Sequence, residues 1–121
     1  MKVLLLEDTK ELAGVVKMIL EDYCEIVHVE NGVEGLRQLR DFKEFDLIVS
    51  DYQMPRMNGL EFIQELRKNN KAIPVILFTS WFDIVMDKER YKKKYDIQEI
   101  FAKDVNELEG YIKKYKMAVA S

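Results

Sequence analysis

The 121-residue sequence holds one cysteine, one histidine, two prolines and five glycines. A single cysteine, Cys24, excludes an internal disulfide framework and a cysteine-based metal cluster. The longest apolar run, residues 72–78, is broken by Pro74 and falls far short of the roughly 20 residues of a membrane-spanning helix. The N-terminus turns acidic at Glu7-Asp8, too early for a signal peptide. A cytoplasmic protein with no membrane association is therefore expected. There is no repeat, low-complexity stretch or linker. Positive charge is scarce in residues 1–87, with 10 Lys/Arg against 16 Asp/Glu, while residues 88–121 carry 9 against 6. This balance argues against nucleic acid as a direct partner. What is present is an apolar share of 48% and a charged share of 34%, the mix of a folded globule. The length matches a single domain over residues 1–121, with no space for a second, effector domain.

Two hydrophobic periods alternate along the chain. Residues 3–6 form a continuous apolar run, the pattern of a strand buried on both faces. Leu12, Val15, Val16, Ile19, Leu20 and Tyr23 follow at helical spacing. A short strand is expected over 24–29, then a helix carrying Val33, Leu36 and Leu39 after the Asn31-Gly32 break. Residues 46–50 and 74–79 read as further buried strands, separated by a loop with Pro55 and a helix over 59–68. A fourth helix is expected over 83–95, with Ile84, Lys88, Tyr91 and Tyr95 on one face. A fifth strand follows over 97–102. Asp104 and Glu107 have capping-box spacing before a last stripe of Leu108, Tyr111, Ile112 and Tyr115. Five strands alternating with five helices predict an α/β fold, a parallel sheet covered on both faces. In such sheets, function gathers beyond the carboxyl ends of the strands.

The residues at those ends are Glu7-Asp8 after the first strand, Asp51 after the third, Thr79-Ser80 after the fourth and Lys103 after the fifth. Clustered carboxylates raise one another's pKa unless a cation compensates. An all-oxygen set favours a hard, partly hydrated divalent ion such as Mg²⁺. A carboxylate beside that ion is a competent nucleophile toward phosphorus. A hydroxyl and an ammonium then suit the phosphoryl oxygens.

The acidic pair, the segment D-Y-Q-M-P-R-M-N-G starting at Asp51, the T-S pair and the F-A-K ending at Lys103 together resemble the receiver domains of two-component response regulators, the CheY-like family. The resemblance covers essentially the whole chain. It implies a (βα)5 doubly wound, flavodoxin-like sheet with strand order 2-1-3-4-5. It implies that Asp51 accepts a phosphoryl group from a histidine kinase or phosphotransfer protein. It further implies Mg²⁺ held by Asp8 directly, by Glu7 through water, by Asp51 and by the backbone carbonyl of Gln53. Thr79 matches the switch hydroxyl, Lys103 the phosphoryl-pairing lysine and Phe101 the switch aromatic. The output is then a change in the face of helix four, strand five and helix five, read by a downstream effector protein. Such a domain catalyses only its own phosphorylation and dephosphorylation, as a monomer or weak homodimer.

Three features depart from the family pattern. Lys103 is followed by Asp104 where the family has proline, so a trans peptide is expected there. The 24 positions from Thr79 to Lys103 exceed the family habit, which points to extra length around helix four. Trp81 stands two after Thr79, where small residues are common, and with Gln53 it is placed to shield a phosphoryl group from water.

Other residues admit two readings. Phe101 suits core or switch equally. Trp81-Phe82 suits core or an exposed recognition surface. Lys92-Lys93-Lys94 reads as a solvated helix face, with an acidic docking partner as the other reading. His28 is expected on an edge strand in a structural or surface role. Competing functions are a phosphorylation-independent interaction module and an aspartate-nucleophile phosphatase. The phosphatase would place an acid where Gln53 stands, and an amide does not protonate a leaving group.

Overall fold

The computed structural model describes residues 1–42, 44–69 and 72–120. Five strands, β1 (Lys2–Leu6), β2 (Glu25–Val29), β3 (Leu47–Ser50), β4 (Val75–Phe78) and β5 (Glu99–Phe101), form one parallel sheet in the order β2-β1-β3-β4-β5. This is the flavodoxin-like order the resemblance implies. The helices are α1 (Lys10–Leu20), α2 (Gly32–Asp41), α3 (Gly59–Asn69), α4 (Phe82–Val85), α5 (Lys88–Tyr95) and α6 (Val105–Ala120). No helix among the described residues is long and apolar enough to cross a membrane.

The apolar runs become the inner strands because both faces of the sheet are covered. Side chains alternate along a strand. Leu4, Leu6, Ile48 and Leu77 therefore meet Phe62, Ile63 and Leu66 of α3 on one face, with Leu36 and Leu39 of α2, Ile84 of α4 and Tyr91 and Tyr95 of α5. Val3, Leu5, Val49, Ile76 and Phe78 meet Ala13, Val16 and Leu20 of α1 and Leu108 and Ile112 of α6 on the other. Val15, expected on the buried stripe of α1, is exposed, and Ala13 takes its place against the sheet. The chain leaves β1 toward β2 on one side and reaches β3 on the other, so a crevice opens where the ends of β1 and β3 diverge.

The expected fourth helix is two helices. The backbone of Asp87 (φ −139°, ψ 49°) breaks it. Ile84 enters the core from α4, and Tyr91 and Tyr95 pack from α5, while Lys88 stays half-exposed. The helix after β5, fifth in the sequence reading, is thus α6. Trp81 and Phe82, ambiguous in sequence, are both exposed. Of the lysine run, Lys92 pairs with Glu99 at 3.2 Å, and the Lys94 ammonium lies 5.3 Å from the Tyr95 ring centre.

The fifth strand is shorter than its apolar run. Asp96 adopts the left-handed conformation (φ 56°) to end α5, and the Ile97 N–H closes back on the Lys92 carbonyl at 2.9 Å instead of joining the ladder. Ile97 remains buried.

Gly59 opens α3 directly behind the third strand end. A methyl group at this position would sit 2.1 Å from the backbone oxygen of Asp51. The Gly59 N–H also bonds the Tyr52 carbonyl at 2.7 Å, so separating the two main-chain segments would break that bond. Gly59→Ala is expected to destabilise the fold by about 3 kcal/mol, the upper end of overpacking costs, measured as a lowered urea midpoint at unchanged slope.

Candidate functional site

The strand-end residues expected to act together lie on one rim. Asp8, Asp51, Gln53, Thr79, Trp81 and Lys103 all line one cleft. Glu7 is buried at 1% exposure, and Asp8, the next residue, is exposed at the mouth. Both residues lie just beyond β1, where the chain bends at Asp8 and leaves the cover of the core.

The ammonium of Lys103 organises the floor. Its Nζ donates to Glu7 Oε1 at 2.7 Å and to Asp51 Oδ2 at 3.0 Å. The second oxygen of each acid is held by backbone. Glu7 Oε2 accepts from the Thr9 N–H at 3.1 Å, and Asp51 Oδ1 accepts from the Tyr52 N–H at 2.6 Å. These two amide donors were not legible in the sequence, because main-chain groups carry no residue signature. Carboxylate oxygens of Glu7, Asp8 and Asp51 lie within 4.8 Å of one another. Three convergent acids of this kind fit a hard divalent cation on donor chemistry.

Burial raises the Glu7 pKa above the ordinary value near 4.5, with hydrogen bonds from Lys103 and the Thr9 N–H opposing it and the Asp51 charge adding to it. For Lys103, burial acts against the ammonium, and the hydrogen bonds to Glu7 and Asp51 outweigh it, so its pKa is also raised.

Lys103 reaches inward from a left-handed backbone (φ 59°), in a chain with no cis peptide among the described residues. The Lys103 N–H bonds the Phe101 carbonyl at 2.9 Å in a tight turn. Asp104 does not crowd the lysine. Its Oδ1 accepts from the N–H groups of Asn106 and Glu107, at 2.9 and 3.3 Å, and caps α6. This is the capping role expected from Asp104 and Glu107, made by Asp104.

Thr79 is buried, and its Oγ1 accepts from the Trp81 N–H at 3.1 Å. The Thr79 N–H bonds the Phe101 carbonyl at 2.9 Å, tying the hydroxyl-bearing residue to β5. The Trp81 ring leans on Tyr52, 5.5 Å between centres. Phe101 is half-buried and meets Tyr111 edge-on at 5.9 Å, and Tyr111 stacks on Tyr115. It therefore has one side in the core and one toward solvent, which is why its sequence position fitted both readings. Gln53 is exposed at the mouth. His28 lies on the edge strand as expected, and its ring reaches the Glu7 carbonyl.

A sheet of this order with an acidic rim and a bridging lysine defines a CheY-like α/β domain. The family model for the response regulator receiver domain matches residues 3–113. Chemotaxis protein CheY1 of Helicobacter pylori is 31% identical over 84 residues, 66% of this chain and 68% of CheY1. Transcriptional regulatory protein CiaR of Streptococcus pneumoniae is 30% identical over 118 residues, 98% of this chain and 49% of CiaR, so the chain spans about half of that relative's length. Among solved structures, the Thermotoga maritima response regulator TrrA in complex with Mg²⁺-BeF shares 30% identity at a TM-score of 0.79, covering 93% of this chain and 96% of TrrA. The receiver domain of the Francisella response regulator 1452 shares 26% identity at a TM-score of 0.83, covering 98% of both chains. The chain belongs to the response regulator receiver domain family, the signalling domains of two-component systems.

Because the folded Glu7 pKa is raised, ionising this residue costs the fold stability as pH rises from about 4.5 through the folded value. Without divalent cation, Glu7→Gln is therefore expected to raise the thermal midpoint at pH 7, and by less at pH 4. A divalent cation held by the three acids would reverse the order at pH 7, since a ligand at a hundredfold its Kd adds about 2.7 kcal/mol to the protein that binds it. Scanning calorimetry at the two pH values, with and without Mg²⁺, checks both signs.

Proposed function

We propose that residues 1–121 act as one Mg²⁺-dependent phospho-accepting receiver, with Asp51 as the acceptor. The observation that carries this reading is the Lys103 ammonium, 3.0 Å from Asp51 Oδ2 at the floor of an acid-lined cleft. Glu7, Asp8, Asp51 and the Gln53 backbone carbonyl would hold the ion, which when bound neutralises charge on the incoming phosphoryl oxygens.

An Asp51 carboxylate oxygen attacks the phosphorus of a phosphohistidine on a partner kinase or phosphotransfer protein. The new O–P bond forms as the P–N bond breaks, and the imidazole nitrogen keeps the electron pair. The product is an acyl phosphate bearing about −1.5 to −2 charges. Lys103 turns from the carboxylates to a phosphoryl oxygen. The Thr79 hydroxyl now accepts from Trp81, and its own hydrogen remains to donate to the phosphoryl group. Since the Thr79 N–H is bonded to Phe101, its movement is passed to β5, and Phe101 shifts with it. The face of α4, α5, β5 and α6 is then the output, read in the cytoplasm by a downstream effector protein, with the receiver acting as a monomer or weak homodimer. A near-complete switch requires about 5.5 kcal/mol of difference between the two states.

Incubation with Mg²⁺ and acetyl phosphate, followed by intact-mass measurement, is expected to show one labile phosphoryl adduct in the wild type and none in Asp51→Asn. An adduct that survives in Asp51→Asn places the acceptor elsewhere. Absence of an adduct from any phosphodonor favours the phosphorylation-independent module. Sustained phosphate release from a model phosphoester favours the phosphatase.

Trp81 and Gln53 stand at the cleft mouth, where water must approach the acyl phosphate. Trp81→Ala is expected to lose its phosphoryl group several-fold faster than wild type, followed by intact mass over time. An unchanged rate removes the shielding role.

A further inference from the structure

The backbone at the end of β1 lacks a ladder partner, and a side chain supplies it. The register pairs Leu6 with Val29, and the Glu7 N–H continues the ladder to the Val29 carbonyl at 3.0 Å. In a parallel ladder the carbonyl of the same residue points to the same neighbour and takes its bond two positions further on. Here that donor would be the Asn31 N–H. However, β2 ends at Val29, and Asn31 has turned to cap α2, its side chain accepting from the Glu34 N–H at 2.9 Å. His28 fills the gap. Its Nε2–H donates to the Glu7 carbonyl oxygen at 2.6 Å. A carbonyl only accepts, so this bond fixes the proton on Nε2.

The Glu7–Asp8 peptide is thereby held, with the Glu7 N–H on backbone and the Glu7 carbonyl on the imidazole. This matters for Asp8, because its exposed carboxylate makes no hydrogen bond or ion pair among the described residues. Nothing but its own backbone aims it at the Glu7–Asp8–Asp51 cluster. We propose that His28 is a positioning residue of the divalent-cation site, orienting Asp8 through the Glu7 carbonyl. The inference rests on the reading of that cluster as a Mg²⁺ site and adds a residue from an edge strand outside the acidic rim.

The test uses the folded protein without a phosphodonor. Mg²⁺ is titrated against the fluorescence of the sole tryptophan, Trp81, which lines the cleft. His28→Leu, which removes the donor, is expected to weaken Mg²⁺ binding about tenfold, a loss of about 1.4 kcal/mol. His28→Gln, whose amide retains an N–H, is expected to stay within about threefold of wild type. Nitrogen-15 NMR of the metal-free protein gives a second readout. The wild-type His28 ring carries its proton on Nε2, and the Asp8 amide signal shifts in His28→Leu and returns in His28→Gln. Wild-type affinity in His28→Leu overturns the proposal, as does equal loss in both variants, which would mark a packing role only. A wild-type ring without the Nε2 proton overturns the clamp alone. Absence of any Mg²⁺ response in the wild type, with the Nε2 signal intact, overturns the metal reading and with it the purpose assigned to His28.

Discussion

The Lys103 ammonium between Glu7 and Asp51 is the interaction on which the rim depends. Three acids converge at one place, and one of them, Glu7, is almost wholly removed from water. A buried carboxylate without a partner is costly, and a second charge of the same sign beside it adds to that cost. One ammonium, shared at 2.7 and 3.0 Å, answers both acids. The local structure follows from that need. Lys103 takes a left-handed backbone to point inward, and Asp104 is diverted to cap α6. Amides of Thr9 and Tyr52 satisfy the remaining oxygens. The parallel sheet makes this possible, because it brings the carboxyl ends of β1, β3 and β5 to one edge.

The same arrangement leaves the site unbalanced by design of its charges. One cation faces three acids, so the rim is poised to take up further positive charge. A phosphoryl group on Asp51 would then find an ammonium, a buried hydroxyl and backbone amides already in place. On the proposed function little of the site would have to be rebuilt: Lys103 would change partner, and the Thr79 hydroxyl would add a donor bond to the one it accepts from Trp81. Electrostatic groups fixed in advance are worth more than groups recruited during a reaction.

The fold was legible wherever burial is two-sided. The runs at β1, β3 and β4 and the stripes of α3 and α6 read directly, since each is continuous or strictly periodic. The strand-end residues were legible for the same reason, because locating the strands locates Glu7, Asp8, Asp51, Thr79 and Lys103. Legibility failed where backbone geometry decides. The break at Asp87 leaves no mark in hydrophobic spacing, and the ladder loses Ile97 to the left-handed turn at Asp96. Side-chain donors to main chain, such as His28, were hidden because their acceptor is a peptide group. Gly59 was visible as a helix start, but its tolerance of the Asp51 carbonyl was not.

The shortness of β5 has a dynamic consequence. It is three residues long, pairs with β4 alone and occupies the rim of the sheet. Segments with few ladder bonds open at lower free energy than the global unfolding limit. Phe101 ends this segment and Lys103 follows it in a turn bonded back to the Phe101 carbonyl, so a local opening of β5 would release the aromatic and the ammonium together. Such an opening would make them one cooperative unit, and amide exchange at β5 would then report the coupled release of both rather than two separate fluctuations.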